Sequence, residues 1–146
     1  MRTIYAVWGT GQTELYTLGT LADAGDAQIR IDLSLAQEML TGATYSIKLR
    51  RADGVEYMGA TGLSADADNA LEYVLQQQDL SAPGALWITV TAQSGEATFT
   101  WKFIGWVYNA AYDGGYGSAG PLWVQALLAM VEASNATYNV TINQGG

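Results

Sequence analysis

Asp66-Ala67-Asp68-Asn69, with Glu72 three residues on, is the densest group of potential metal ligands in this sequence. It falls short of a calcium loop. Ala70 stands at the third ligand position, and the central glycine of such a loop is missing. The stretch reads as a polar loop. The chain has no cysteine and no histidine, which excludes thiolate metal sites, disulfides and the usual general base. Carboxylates are then the only acid–base groups in play. A glycosidase needs two of them facing each other across a cleft, and no pair stands out here. Gly9-Thr10-Gly11 lacks the third glycine of a dinucleotide fingerprint, and Glu14 would repel a phosphate. No catalytic residue, no metal ligand and no cofactor-binding residue is nominated, and the chain is expected not to be an enzyme.

Aromatic side chains offer more. The chain has five Trp, nine Tyr and two Phe. Tyr108, Tyr112 and Tyr116 recur every four residues beside a glycine-rich stretch, and Trp87 points away from the inward set of its own strand. Exposed rings stack on sugars or anchor protein interfaces. Trp87, Tyr112 and Tyr116 are therefore the candidate contacts for a partner or a glycan, with simple packing as the blander reading.

The elements that must position these rings are mostly strands. Leu86 to Ala92 and Ala97 to Ile104 alternate with period two, and Gln93-Ser94-Gly95-Glu96 lies between them as a turn. Leu86, Ile88 and Val90 face one way. Phe99, Trp101 and Phe103 share a face of the second arm. Such alternation marks half-buried strands, because successive side chains leave a strand on opposite sides. Ile29, Ile31 and Leu33 form another inward set, as do Tyr45, Ile47 and Leu49, with Ser46, Lys48 and Arg50 outward. Asp53-Gly54 is a strong hairpin signal. Glu14 to Leu18, Val55 to Met58 and Leu71 to Leu75 read as further strands, and Ser34 as the cap of a short helix through Leu40. The resulting expectation is a mostly β, antiparallel sandwich over residues 1–108.

After Tyr108 the character changes. Residues 109–120 hold four glycines and read as a linker. Pro121 suits the first position of a helix. In the segment from Leu122 to Ala133 only Gln125 and Glu132 are strongly polar. A helix apolar almost all round must be covered on most sides, so residues 121–146 are expected to form a helix and a last strand, Thr137 to Ile142, that join protomers, with a helix tucked fully into its own domain as the alternative. The expected seam is Leu122, Trp123, Leu127, Met130 and Val131.

The net charge of −8, from 14 acids against six Lys and Arg, argues against nucleic acid and against an anionic membrane surface as partners. The first residues lack the apolar run of a signal peptide, and the longest apolar run is too short to span a bilayer. Synthesis in a cytosol follows as the expectation.

The order of these features resembles a known family. A strand at Ile29 to Leu33 is followed by the glycine-launched strand Thr44 to Arg50 and the turn Ala52-Asp53-Gly54. A strand near Leu71 to Leu75, the corner Ala82-Pro83-Gly84 and a long hairpin containing Thr98-Phe99-Thr100 come next. Over roughly residues 12–107 this is similar to the N-terminal domain of phage upper baseplate proteins, from siphophages of Gram-positive hosts. The resemblance implies an immunoglobulin-like sandwich that docks on other virion structural proteins, without catalysis or a cofactor. It also implies a homo-oligomer, with a trimer expected. In that family a helical stalk leading to receptor-binding parts usually follows. Here one short helix and a strand follow instead, which points to a compact relative: a baseplate or tail adaptor, a capsid decoration protein, or the base of a head fibre.

Overall fold

The computed structural model describes residues 1–9, 12, 15–34 and 42–108, together with the backbone of a strand at Tyr138–Ile142. Among the described residues nine strands run in chain order: β1 (Arg2–Val7), β2 (Tyr16–Gly19), β3 (Ala27–Asp32), β4 (Thr44–Arg50), β5 (Glu56–Leu63), β6 (Ala70–Val74), β7 (Gly84–Ser94), β8 (Ala97–Val107) and β9 (Tyr138–Ile142). They form two sheets. The smaller has the order β1-β3-β6. The larger has the order β2-β8-β7-β4-β5, with β9 also paired to β8. The fold is mostly β and sandwich-like.

Alternation in the sequence becomes cross-strand rows in the larger sheet. Leu49 stands opposite Ile88, which stands opposite Phe103; Ile47, Val90 and Trp101 form the next row; Tyr45, Ala92 and Phe99 the one after. All are buried except Phe99, which is partly covered. The small sheet answers with Ile4, Ala6, Ile29, Ile31, Leu71 and Tyr73. Trp8 follows β1 and reaches across, its ring centroid 6.0 Å from Trp101 and 6.4 Å from Tyr45. Such inter-sheet interdigitation is what holds a sandwich together.

The turns obey their residues. Gly54 (φ +88°) and Gly95 (φ +60°) take left-handed conformations that a side chain would disfavour. The β7–β8 hairpin is tighter than expected: Ser94 pairs with Ala97, so only Gly95 and Glu96 lie outside the ladder.

Strand direction departs from the expected all-antiparallel arrangement. The pairings β3–β6, β4–β5, β4–β7, β7–β8 and β8–β9 are antiparallel. The pairings β1–β3 and β2–β8 are parallel. Both involve short strands at a sheet edge, joined to their partners by long chain excursions rather than hairpins, and only a long connection permits parallel pairing. Strand β2 spans Tyr16–Gly19, and Glu14, the start expected from the sequence, lies outside the described residues. The stretch near Leu71 is a strand, as the surrounding strands imply. The helix through Leu40, the linker 109–120 and the helix from 121 lie outside the described residues.

Both open sides of the sandwich are stitched by polar side chains. On one side the Arg2 guanidinium of β1 donates to the carbonyls of Thr17 (2.9 Å) and Leu18 (2.6 Å) on β2. On the other, Asp79 is fully buried. Its carboxylate accepts hydrogen bonds from the Tyr57 hydroxyl of β5, the Tyr73 hydroxyl of β6 (2.7 Å) and the Gln76 amide (2.8 Å). One carboxylate thus ties an edge of each sheet to the loop that follows β6. Gly59 makes this possible, because a Cβ there would stand 2.7 Å from the Tyr73 hydroxyl and 2.4 Å from Leu49 Cδ1.

A third stitch fills a gap. Along one edge of β8, β9 pairs with Ala97–Trp101 and β2 pairs with Gly105–Val107. Between them the buried Gln12 side chain takes the place of a strand. Its amide nitrogen donates to the Ile104 carbonyl (2.7 Å), and its oxygen accepts from the Ile104 amide (3.0 Å). A primary amide can do this because it carries a donor and an acceptor in the same geometry as a peptide.

Candidate functional site

Three adjacent strands, β4, β7 and β8, turn one common face outward from the larger sheet, and the functional candidate Trp87 lies on it. The register sets Arg50, Trp87 and Ile104 in one row and Lys48, Thr89 and Lys102 in the next. Neighbouring strands lie about 4.8 Å apart, so the backbones of Lys48 and Lys102, two strands apart, stand roughly 10 Å from each other. Trp87 sits among all three cations, opposite one and diagonal to the other two.

Trp87 is half-buried rather than an exposed ring. It packs with Leu15 and Ala85 around Ile104, which is fully buried although it belongs to the outer face. The Gln12 amide fixes the Ile104 backbone, so the floor beneath the indole is held by hydrogen bonds as well as by packing. The ring forms the wall between two shallow hollows. One, of about 170 Å³, is bordered by Lys48, Arg50, Glu56, Thr89 and Lys102. The other, of about 280 Å³, is bordered by Arg50, Arg51, Pro83 and Trp106.

The charges on this face are sparsely neutralised. Lys48 and Glu56 form an exposed pair at 3.4 Å. Among the described residues no carboxylate pairs with Arg50 or Lys102. Arg51, at the rim, is held differently. Its Nη2 is 2.7 Å from the Asp53 carboxylate, and Nη1 donates to the Gln78 carbonyl and the Ser81 hydroxyl. Those bonds to Arg51 hold the Asp53 carboxyl below its usual range.

The acidic loop does other work. Asp66 Oδ1 accepts from the amides of Asp68 (2.9 Å) and Ala70 (3.1 Å), closing the turn before β6. Its other oxygen, with Asp68 and Glu72, surrounds the Arg30 guanidinium on the small sheet. Loss of hydration works against ionising Asp66, yet those two amides and Arg30 outweigh it and hold its pKa low. The carboxylates therefore converge on a cation that the chain itself supplies. Among the described residues no group of three or more acidic side chains is arranged to hold a metal.

Of the residues nominated from sequence, only Trp87 is described. Tyr112, Tyr116 and the seam residues Leu122, Trp123, Leu127, Met130 and Val131 lie outside the described residues. Lys48, Arg50, Thr89 and Lys102 were not singled out by sequence reasoning, though each falls at an outward position of an alternating strand.

No family model matches this chain, and no curated protein matches its sequence.

Proposed function

We propose that this chain is a non-enzymatic structural protein of a phage virion, an oligomeric docking module attached to the baseplate, tail or capsid. In this reading the sandwich is the rigid unit. The segment from Pro121, as a short helix, joins protomers into a homo-oligomer, a trimer, through Leu122, Trp123, Leu127, Met130 and Val131. Capsid decoration and the base of a head fibre are the more specific forms of the same role. The protein is made in the host cytoplasm and ends in the particle, with other virion proteins as partners.

The observation that carries the reading is the placement of turns and strands. The Asp53-Gly54 turn, the Pro83-Gly84 corner and the long β7–β8 hairpin are the features on which the resemblance to upper baseplate domains rests. The strand order supports the immunoglobulin-like form of the sandwich. β8-β7-β4-β5 over β3-β6 corresponds to strands G-F-C-C′ over B-E of that fold, with the parallel β1–β3 pair as a departure. Stitching at both open sides suits a module that bears load without changing shape.

The test is a pair of substitutions in the seam, Leu127→Lys with Val131→Lys, in the full chain. Cutting the chain after Gly120 would be a poorer test, because it also strips β9 from β8. The reading expects the oligomer to fall to a monomer while the sandwich keeps its melting behaviour. An assembly unchanged by both lysines contradicts the seam.

A further inference from the structure

The cations of this chain are distributed unevenly for an acidic protein. Of six Lys and Arg, four are held by the chain itself: Arg2 by the Thr17 and Leu18 carbonyls, Arg30 by three carboxylates, Arg51 by Asp53 and Lys48 by Glu56. Lys48, Arg50 and Lys102 share the outer face of the larger sheet and flank one tryptophan. Among the described residues neither Arg50 nor Lys102 forms an ion pair, although Glu56, paired with Lys48, stands opposite Arg50 in the register. Three cations against one carboxylate, Glu56, leave this face in net excess of positive charge on an acidic molecule, and such an excess attracts an external counter-charge.

The chemistry of that counter-charge follows from the remaining groups. The indole of Trp87 offers a flat apolar face, supported from below by Ile104. The C–H face of a pyranose ring packs on such a surface, while a polar edge stays in water. Thr89 adds a hydroxyl that donates and accepts. Lys and Arg are the usual partners of carboxylate and phosphate groups. Two hollows meet at the same ring and share Arg50, a spacing suited to successive units of a chain.

We infer that the outer face around Trp87 binds an anionic oligosaccharide whose sugars carry carboxylate or phosphate groups. One ring packs on the indole, its acidic group lies between Lys48 and Lys102, and the next unit occupies the hollow toward Arg51 and Trp106. This goes beyond the docking role and does not depend on the seam at residues 122–131.

The test is titration of the full chain at low salt, read by tryptophan fluorescence and calorimetry. The probes are an oligogalacturonate, a phosphomannan fragment and, as the neutral control, maltohexaose. Binding of either anionic probe, weakened by added salt, is expected, with maltohexaose weaker by about tenfold or more. Lys102→Glu should lower affinity for the anionic probe about tenfold, and Trp87→Ala should remove it. Tyr5→Ala, on the opposite face where Tyr5 is 68% exposed, should change nothing. Preference between the two anionic probes assigns the acidic group. If Trp87→Ala impairs folding, Arg50→Glu and Lys102→Glu, both at the surface, carry the test alone. Absence of binding to both anionic probes overturns the inference, as does binding that survives both charge reversals. Salt-sensitive self-association that Lys102→Glu abolishes, without glycan binding, also overturns it and makes the face a contact between copies.

Discussion

Replacing Asp79 by alanine should be among the most damaging single changes in the sandwich. The carboxylate is fully buried and accepts from two tyrosines on different sheets and from the Gln76 amide. Its removal leaves those donors behind. The Tyr73 hydroxyl sits in a buried setting with Gly59 and Leu49 against it, and a buried donor without a partner costs about 2 kcal/mol. The Gln76 amide and the Tyr57 hydroxyl are partly accessible and recover some hydration, so about 1 kcal/mol each is reasonable. Relief of the carboxylate's own desolvation offsets part of this sum, leaving a loss of about 3 kcal/mol. For a chain of this size that lowers the melting temperature by roughly 10 °C. Chemical denaturation followed by tryptophan fluorescence reads it. Asp79 and Tyr73 should also be strongly coupled. Tyr73→Phe should cost much less once Asp79 is gone, with an interaction energy of about 1 kcal/mol or more. Additive losses, or an Asp79→Ala protein as stable as the parent, would refute the clamp.

Gln12→Leu should destabilise by about 2–4 kcal/mol, because it strands both the amide and the carbonyl of Ile104; hydrogen exchange at the Ile104 amide should accelerate with it, and unchanged protection would contradict the side-chain stitch. Alkaline pH should destabilise the fold: burial first, and hydrogen bonding to Asp79 second, raise the pKa of Tyr57 and Tyr73 above the ordinary value of 10.0. Their contribution is therefore whole below that pH and is lost as pH rises above it. Tyr57→Phe with Tyr73→Phe should flatten the alkaline limb of a stability–pH curve, and an unchanged slope would argue against it. Gly105→Ala should cost about 1–3 kcal/mol by overpacking, since its Cβ would stand 2.4 Å from Leu18 Cδ1. The same substitution on a Leu18→Ala background should cost markedly less, and equal costs in the two backgrounds would count against the steric account.

Local alternation carried most of the strand reading. Tyr45, Ile47 and Leu49, Leu86, Ile88 and Val90, and Trp101 with Phe103 are all buried where period two turns them inward. The Asp53-Gly54 turn and the strand near Leu71 follow from equally local signals. What alternation does not contain is which strand lies beside which. The parallel pairs β1–β3 and β2–β8 join short edge strands to partners far along the chain. Asp79 sits in a run of polar residues, Gln76-Gln77-Gln78-Asp79, that reads as a solvated turn until β5 and β6 close over it. Gln12 gives no sequence signal at all, since its role depends on a gap between two strands that meet β8 from opposite ends of the chain. The cationic face was half legible. Lys48, Arg50 and Lys102 are outward on their own strands, but only the β4–β7–β8 register sets them around Trp87.

The account of this chain as an oligomeric docking module is tested most directly by its mass in solution. Sedimentation equilibrium of the full chain over a wide concentration range should return a species of three times the chain mass that persists on dilution. A monomer at every concentration would contradict the account.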